Sequence, residues 1–247
     1  MNYYDLLLAN KLNGGGGGGG GGYTADDLAT RNYTGDMVVT GSILIDAFSS
    51  SHITSLTADN GSGWIQRCCN ACSDLVSVSM KMADRLQSNC FENCTSLKYT
   101  NFPNMKYIGN PSVFKGCTSL ETIKFPKGGE IYNYVTSGFG IEYFSGCTSL
   151  KKVEGWMANG IGANCFDGCV SLEVLVLRGG NMASLSNVNA FANMNGKAVD
   201  VYVKSSLVST YQSGTNWVNV TGATLTFKAI EGSFYETHYA DGTEIGA

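Results

Sequence analysis

Charge is scarce in this sequence. Of its 247 residues, 15% are Asp, Glu, Lys or Arg, against roughly 25% in an average chain. The net charge is −4, and the densest basic cluster is the pair Lys151-Lys152. Nucleic-acid binding needs a positive footprint that displaces counterions from phosphates, so that function is not expected. Long hydrophobic runs are also missing: nothing approaches the roughly 18 apolar residues that cross a bilayer. Met1-Asn2-Tyr3-Tyr4-Asp5 carries no positive charge, and Leu6-Leu7-Leu8-Ala9 is too short for a signal-peptide core. The expectation is a protein that inserts into no membrane and lacks an ordinary export signal.

Histidine is nearly absent, with only His52 and His238. A Ser-His-Asp constellation needs a His that the fold brings to a nucleophile. His52 is expected in a loop and His238 in the C-terminal tail. Asp26-Asp27, Glu231 and Glu236 stand in no distinctive context. No enzyme activity, no catalytic residue and no cofactor is expected.

What is abundant is glycine, including the unbroken run Gly14–Gly22. A phosphate-cradling loop would need Gly-Lys-Ser/Thr opening a helix, or a preceding strand. Here Leu12-Asn13 precedes and Tyr23-Thr24 follows. Glycines bury no side chain and lose the most backbone entropy on ordering, so residues 14–22 read as a flexible linker. Before it, Tyr3, Tyr4, Leu7, Leu8 and Leu12 recur at helical spacing, and residues 1–13 read as a docking peptide. Residues 23–65 read as an N-terminal capping region, with a strand at Val38–Ile45. Ala47-Phe48 and Ile53–Leu56 look like a degenerate first repeat.

Nine cysteines are present, and they expose a repeat. Phe91-Glu92-Asn93-Cys94-Thr95-Ser96-Leu97 returns as Phe114–Leu120, Phe144–Leu150 and Phe166–Leu172. Weaker copies start at Cys69 and Phe191. The cysteines at 72, 94, 117, 147 and 169 are 22, 23, 30 and 22 residues apart, a period in the leucine-rich-repeat range. After each motif Leu an alternating apolar pattern, as in Leu120…Ile123…Phe125, predicts a short strand with one face inward.

These four copies resemble the BspA-like class of bacterial leucine-rich repeats, with its F-x-G-C-x-S-L pattern. The resemblance implies a right-handed solenoid over 66–203, with a parallel β-sheet on one side and irregular or short helical elements on the other. Its members are mostly surface or secreted proteins that bind host proteins or other cells. Residues 204–247 would form a small α+β cap with a short helix after the last strand; caps cover the apolar end of such stacks. The Tyr/Leu peptide plus polyglycine resembles leaders on structural proteins of bacteriophages. That implies docking of residues 1–13 onto a virion or tail protein.

The cysteines admit three readings. Zinc needs four ligands with closed spacing. Pairs such as Cys69/Cys72, Cys90/Cys94 and Cys165/Cys169 exist, but they fall one per coil. Disulfides between neighbouring coils are sterically reasonable, yet the odd total leaves a thiol over. A column of buried reduced thiols, acting as small hydrophobes, fits the spacing best. No metal is expected.

In the family geometry, residues two and four after the motif Leu point outward. One column is Ser77, Tyr99, Thr122, Lys152, Val174 and Asp200; the other is Ser79, Asn101, Lys124, Glu154, Val176 and Tyr202. The oversized spacing after Cys117 marks an inserted loop with Tyr132, Tyr134 and Phe139. Candidate ligand-binding residues are therefore Tyr99, Asn101, Thr122, Lys124, Tyr132, Tyr134, Phe139, Lys152, Glu154 and Tyr202. The expected partner is a cell-surface protein or glycan, met from a virion or from a cell surface. A purely structural part of an assembly is the other reading.

Overall fold

The computed structural model describes residues 33–39, 47–58, 64–65, 67–105, 107–109, 111–126, 141–155 and 160–246. Among them run twelve strands: β1 (Thr34–Val38), β2 (His52–Thr57), β3 (Trp64–Ile65), β4 (Ser77–Ser79), β5 (Arg85–Leu86), β6 (Tyr99–Asn101), β7 (Tyr107–Ile108), β8 (Thr122–Lys124), β9 (Lys152–Gly155), β10 (Val174–Leu177), β11 (Lys197–Val203) and β12 (Ala223–Ala229). All their mutual pairings are parallel. Each coil adds one short strand beside the last, and the chain is a parallel β-solenoid. No helix among the described residues is long and apolar enough to cross a membrane.

The motif Phe makes the spine. Phe91, Phe114, Phe144, Phe166 and Phe191 stack with ring centroids 5.2–5.7 Å apart and interplanar angles of 8–22°. Trp217 closes one end of the stack at 6.4 Å from Phe191. Phe48 fills the aromatic slot of the first coil and meets Tyr33 edge-on at 5.4 Å. Such pairs contribute about 0.5–1.5 kcal/mol each beyond the area they bury.

The motif cysteine ties each coil to the one before. Its thiol donates to the carbonyl of the preceding coil's aromatic slot: Cys72 to Phe48 (2.7 Å), Cys94 to Cys69 (3.0 Å), Cys117 to Phe91 (3.1 Å), Cys147 to Phe114 (3.0 Å) and Cys169 to Phe144 (3.1 Å). A thiol is small and apolar enough for the core, yet it carries a weak donor. The residue ahead of the aromatic forms a second buried column, Cys68, Cys90, Val113, Tyr143, Cys165 and Ala190. All nine cysteines are therefore buried core residues, and none is bridged.

Between aromatic and Cys the backbone must turn with positive φ. Gly116, Gly146 and Gly168 adopt φ of 70–75°, and Asn93 and Ala71 take the same place at 60° and 57°. A Cβ on Gly116 would also lie 2.4 Å from Asn93 Oδ1, so glycine there meets both demands.

The main sheet is interrupted. Strands order as β1-β2-β4-β6 in one sheet and β12-β11-β10-β9-β8 in another, while β3-β5-β7 form a small third sheet. Between β6 and β8 no ladder forms, although the corners stay stitched by Asn93 N–H to Lys115 O (2.7 Å) and Ser119 N–H to Thr95 O (3.2 Å). The ladder thus parts between β6 and β8 while the corner contacts persist.

The first strand lies at Thr34–Val38, ahead of the expected Val38–Ile45, whose residues 40–45 fall outside the described ones. The expected short helix, α1 (Val208–Gln212), is present. β12 follows it and pairs with β11 over seven residues, extending the sheet by another parallel strand. The docking peptide 1–13, the glycine run 14–22 and the inserted loop with Tyr132, Tyr134 and Phe139 lie outside the described residues.

Candidate functional site

The register sets both outward columns. Ser55, Ser77 and Tyr99 align across β2, β4 and β6; Thr122, Lys152, Val174, Asp200 and Thr226 align across β8 to β12. The second column pairs Thr57, Ser79 and Asn101, then Lys124, Glu154, Val176, Tyr202 and Lys228. The inward residues between them, such as Val78, Ile123, Val153, Leu175 and Val201, are buried.

The two halves of this face differ. The β1-to-β6 half is open. Tyr99 is 60% exposed, and Asn101 is exposed with its amide donating to Ser79 Oγ at 3.2 Å. Asp36 accepts from Ser55 Oγ (2.6 Å) and Thr54 Oγ1 (3.0 Å), and these hydroxyls hold its carboxyl below the ordinary value. The surface is thus a lattice of oriented hydroxyl, amide and carboxylate groups with one large aromatic.

The β8-to-β12 half is covered by the chain's own C-terminal residues 230–246. Ile230, Tyr235 and Ala240 pack on Val176, with Val174 and Tyr202 beside them. Tyr235 meets the Tyr202 ring edge-on at 4.6 Å. The anchor is ionic: Glu154 is 0% exposed and receives Arg178 Nε at 2.5 Å, while the Ala240 N–H donates to its other oxygen. Arg178 Nη2 then donates to His238 O at 2.9 Å. Burial pushes the Glu154 carboxyl above its ordinary value, which the Arg178 hydrogen bond offsets only in part. Further out, Lys124 Nζ sits 2.7 Å from Asp241, 2.5 Å from Thr243 Oγ1 and 4.7 Å from the Tyr239 ring centroid.

Several candidate contact residues change role accordingly. Glu154 belongs to a buried ion pair and offers nothing to an external ligand. Lys124 and Tyr202 are engaged by the tail. Thr122 and Lys152 are half-buried in the same column. Tyr99 and Asn101 remain open. Sequence reasoning missed Arg178, Tyr239 and Asp241. A signal existed: Val174 and Val176 put two apolar residues in the outward columns, and an apolar outward patch demands a cover.

Beside the seam between β6 and β8 lies a cleft of two adjoining basins. One, about 320 Å³, is lined by Lys98, Tyr99, Glu121, Thr122, Lys124 and Asp241. The other, about 530 Å³, shares Thr100 and Lys124 with the first and continues past Asn101 and Pro126 to Tyr239 and Thr243. One wall is the solenoid and the other is the tail.

The histidines assemble no chemistry. His52 opens β2 instead of lying in a loop, and its Nδ1 is 2.6 Å from Asp74 Oδ2 on the surface. His238 stacks on Phe234 at 4.3 Å and meets Thr237 Oγ1 at 2.8 Å. Among the described residues no group of three or more His, Cys, Asp or Glu is placed to hold a metal ion.

A stack of parallel coils of this build defines a solenoid of the leucine-rich-repeat class. The family profile described as "BspA type Leucine rich repeat region" matches in six copies, over residues 40–142 and 113–214. The chain belongs to that family, whose solenoids are typically non-enzymatic binding scaffolds. Among solved structures it is similar to a leucine-rich repeat protein from Bacteroides ovatus, at 18% identity over 77% of this chain and 70% of that one, with a TM-score of 0.32. A search of the curated proteins finds no match.

Proposed function

We propose that the chain is a non-enzymatic recognition and adhesion module that contacts a cell-surface protein or glycan. The observation that carries this reading is the open β1-to-β6 face, where Tyr99 stands exposed amid oriented hydroxyl, amide and carboxylate groups. Exposed aromatic side chains with adaptable polar neighbours suit contact surfaces. The Tyr/Leu peptide at residues 1–13 and the glycine run favour display from a larger assembly such as a phage virion, with the peptide docking on a tail protein. A bacterial surface adhesin uses the same face without that docking step.

The test is binding of the labelled full-length chain to intact bacterial and host cells, with Tyr99→Ala as the face variant. Saturable binding that Tyr99→Ala weakens supports the reading. A chain that binds no cell and only co-assembles with a particle overturns it in favour of a structural part. Deletion of residues 1–13 tests display separately: a truncated chain that still joins its particle refutes docking through that peptide.

A further inference from the structure

We infer that the cleft at the β6/β8 seam is a subsite for an uncharged oligosaccharide, with Tyr99 as the stacking platform. The inference rests on the recognition reading above and names its ligand class.

Three features converge on this class. First, the cleft is concave, with polar groups set into a mainly apolar lining. Its two basins, about 320 and 530 Å³, fall in the range of small-molecule sites. They adjoin along one line and suit a linear ligand of a few rings.

Second, the cations of the lining are already matched. Lys98 lies 3.6 Å from Glu121, which also takes Lys151 at 2.9 Å, and Lys124 lies 2.7 Å from Asp241. A phosphorylated, sulfated or sialylated ligand would have to break these pairs and would meet Glu121 and Asp241 at close range. A neutral polyol needs no such exchange. It can accept from the lysines and donate to the carboxylates and to Thr122 while the pairs stay whole.

Third, the Tyr99 ring is, among the described residues, the one large aromatic exposed at the lip, and it lines the first basin. The C–H face of a pyranose stacks on such a ring and removes apolar area from water on both sides. The break in the ladder creates the space: a continuous β6/β8 pairing would bring Tyr99 and Thr122 side by side, as Ser77 and Tyr99 are on the other edge of β6.

The experiment presents the full-length chain to an array of neutral glucans, mannans and N-acetylglucosamine oligomers alongside heparin, sulfated and sialylated glycans. The best oligosaccharide is then titrated calorimetrically. Binding to a neutral class is expected, weakened at least about tenfold by Tyr99→Ala and abolished by Thr122→Arg, which fills the first basin. Both variants should melt within about 2 °C of wild type, as exposed or half-exposed substitutions do, and Val170→Ser on another surface should bind normally. Binding confined to anionic glycans, binding to none, or binding that survives both variants overturns the inference. Cell binding that resists periodate and yields to protease also overturns it, while leaving the recognition reading intact. Oligosaccharide binding without cell binding does the reverse.

Discussion

Arg178 Nε lies 2.5 Å from Glu154 Oε1 beneath the C-terminal tail, and the Ala240 N–H completes the Glu154 carboxylate from the other side. The pair joins β9 and the residue that follows β10 to residues sixty or more positions later in the chain. A buried carboxylate costs several kcal/mol in lost hydration unless its partners remain in place. Removing one partner is therefore worse than removing both.

Glu154→Ala is expected to destabilise the fold by about 3–5 kcal/mol, because Arg178 is left charged and buried. The double variant Glu154→Leu/Arg178→Met keeps volume and leaves no orphan charge, and it should recover most of that loss. Denaturant melts of the three proteins check this. A double variant as unstable as the single one would show that geometry at Ala240 and His238, and not the orphaned charge, dominates.

The tail is also tuned by pH. The carboxyl of Asp241 lies below its ordinary value; burial opposes this, and hydrogen bonds from Lys124 and Thr243 outweigh it. A depressed folded pKa contributes stability above the unfolded pKa, and that stability is lost as pH falls through the folded value. Wild type should therefore exceed Asp241→Asn by about 0.5–1 kcal/mol at neutral pH, the range of a partly exposed pair. The gap should close once pH drops below the ordinary carboxylate range. Glu154 has the opposite sign: its raised pKa gives stability present below its unfolded value and lost as pH rises to the folded one. Melting temperatures across an acid series for wild type, Asp241→Asn and Glu154→Gln separate the two; a gap for Asp241→Asn that persists in acid rejects the assignment.

The spine of this fold was legible because it repeats. The spacing of Cys72, Cys94, Cys117, Cys147 and Cys169 identifies the coil, and the coil puts Ser77, Tyr99 and their successors in one column. The cysteines' reduced, buried state followed from the same period. The tail was not legible, because it contains no repeat and its partners are distant: Asp241 answers Lys124, and Ala240 answers Glu154. Glu154 read as a contact residue on periodicity alone, since periodicity gives direction and not cover. The seam was hidden for a related reason. The motif is intact on both sides of it, at Cys94 and Cys117, and only the strand ladder parts.

Tyr143 makes a prediction of unusual sign. It occupies the buried column ahead of the motif Phe, and among the described residues its hydroxyl finds no hydrogen-bond partner. Burial, with smaller contributions from Cys165 and Cys90, raises its pKa well above the ordinary phenol. An unpaired buried hydroxyl costs about 1–3 kcal/mol of desolvation. Tyr143→Phe keeps the ring contacts with Phe114 and Phe144, so it should be neutral or stabilising by up to about 1 kcal/mol. A denaturant midpoint clearly below wild type would mean that the hydroxyl is satisfied in solution.

The thiol column predicts both reactivity and alkaline behaviour. All nine cysteines are buried and unbridged, and burial pushes Cys94, Cys117, Cys165 and Cys169 well above the ordinary thiol value. The thiolate is the reactive form, so the folded chain should resist iodoacetamide and take up nine equivalents only when unfolded. For the same reason these four thiols add no pH dependence below the unfolded thiol pKa, about 8.5. Above it, their unfolded thiols ionise while the folded ones stay protonated, and stability falls as pH rises toward the folded values. Cys68, where burial is outweighed by hydrogen bonds with Cys69 and Cys90 that bring it down to about 6, and Cys72, lowered by its hydrogen bond with Cys69, act in the opposite sense. Cys117→Ala removes both one ionising thiol and the bond to Phe91 O. It should cost about 1–2 kcal/mol at neutral pH, from a lost buried contact and a lost hydrogen bond, and the difference from wild type should shrink in alkali. Mass spectrometry of alkylated protein with pH-dependent melts reads both effects. Fewer than nine alkylated sites in the unfolded, unreduced chain would reveal a disulfide and remove the reduced column from the account.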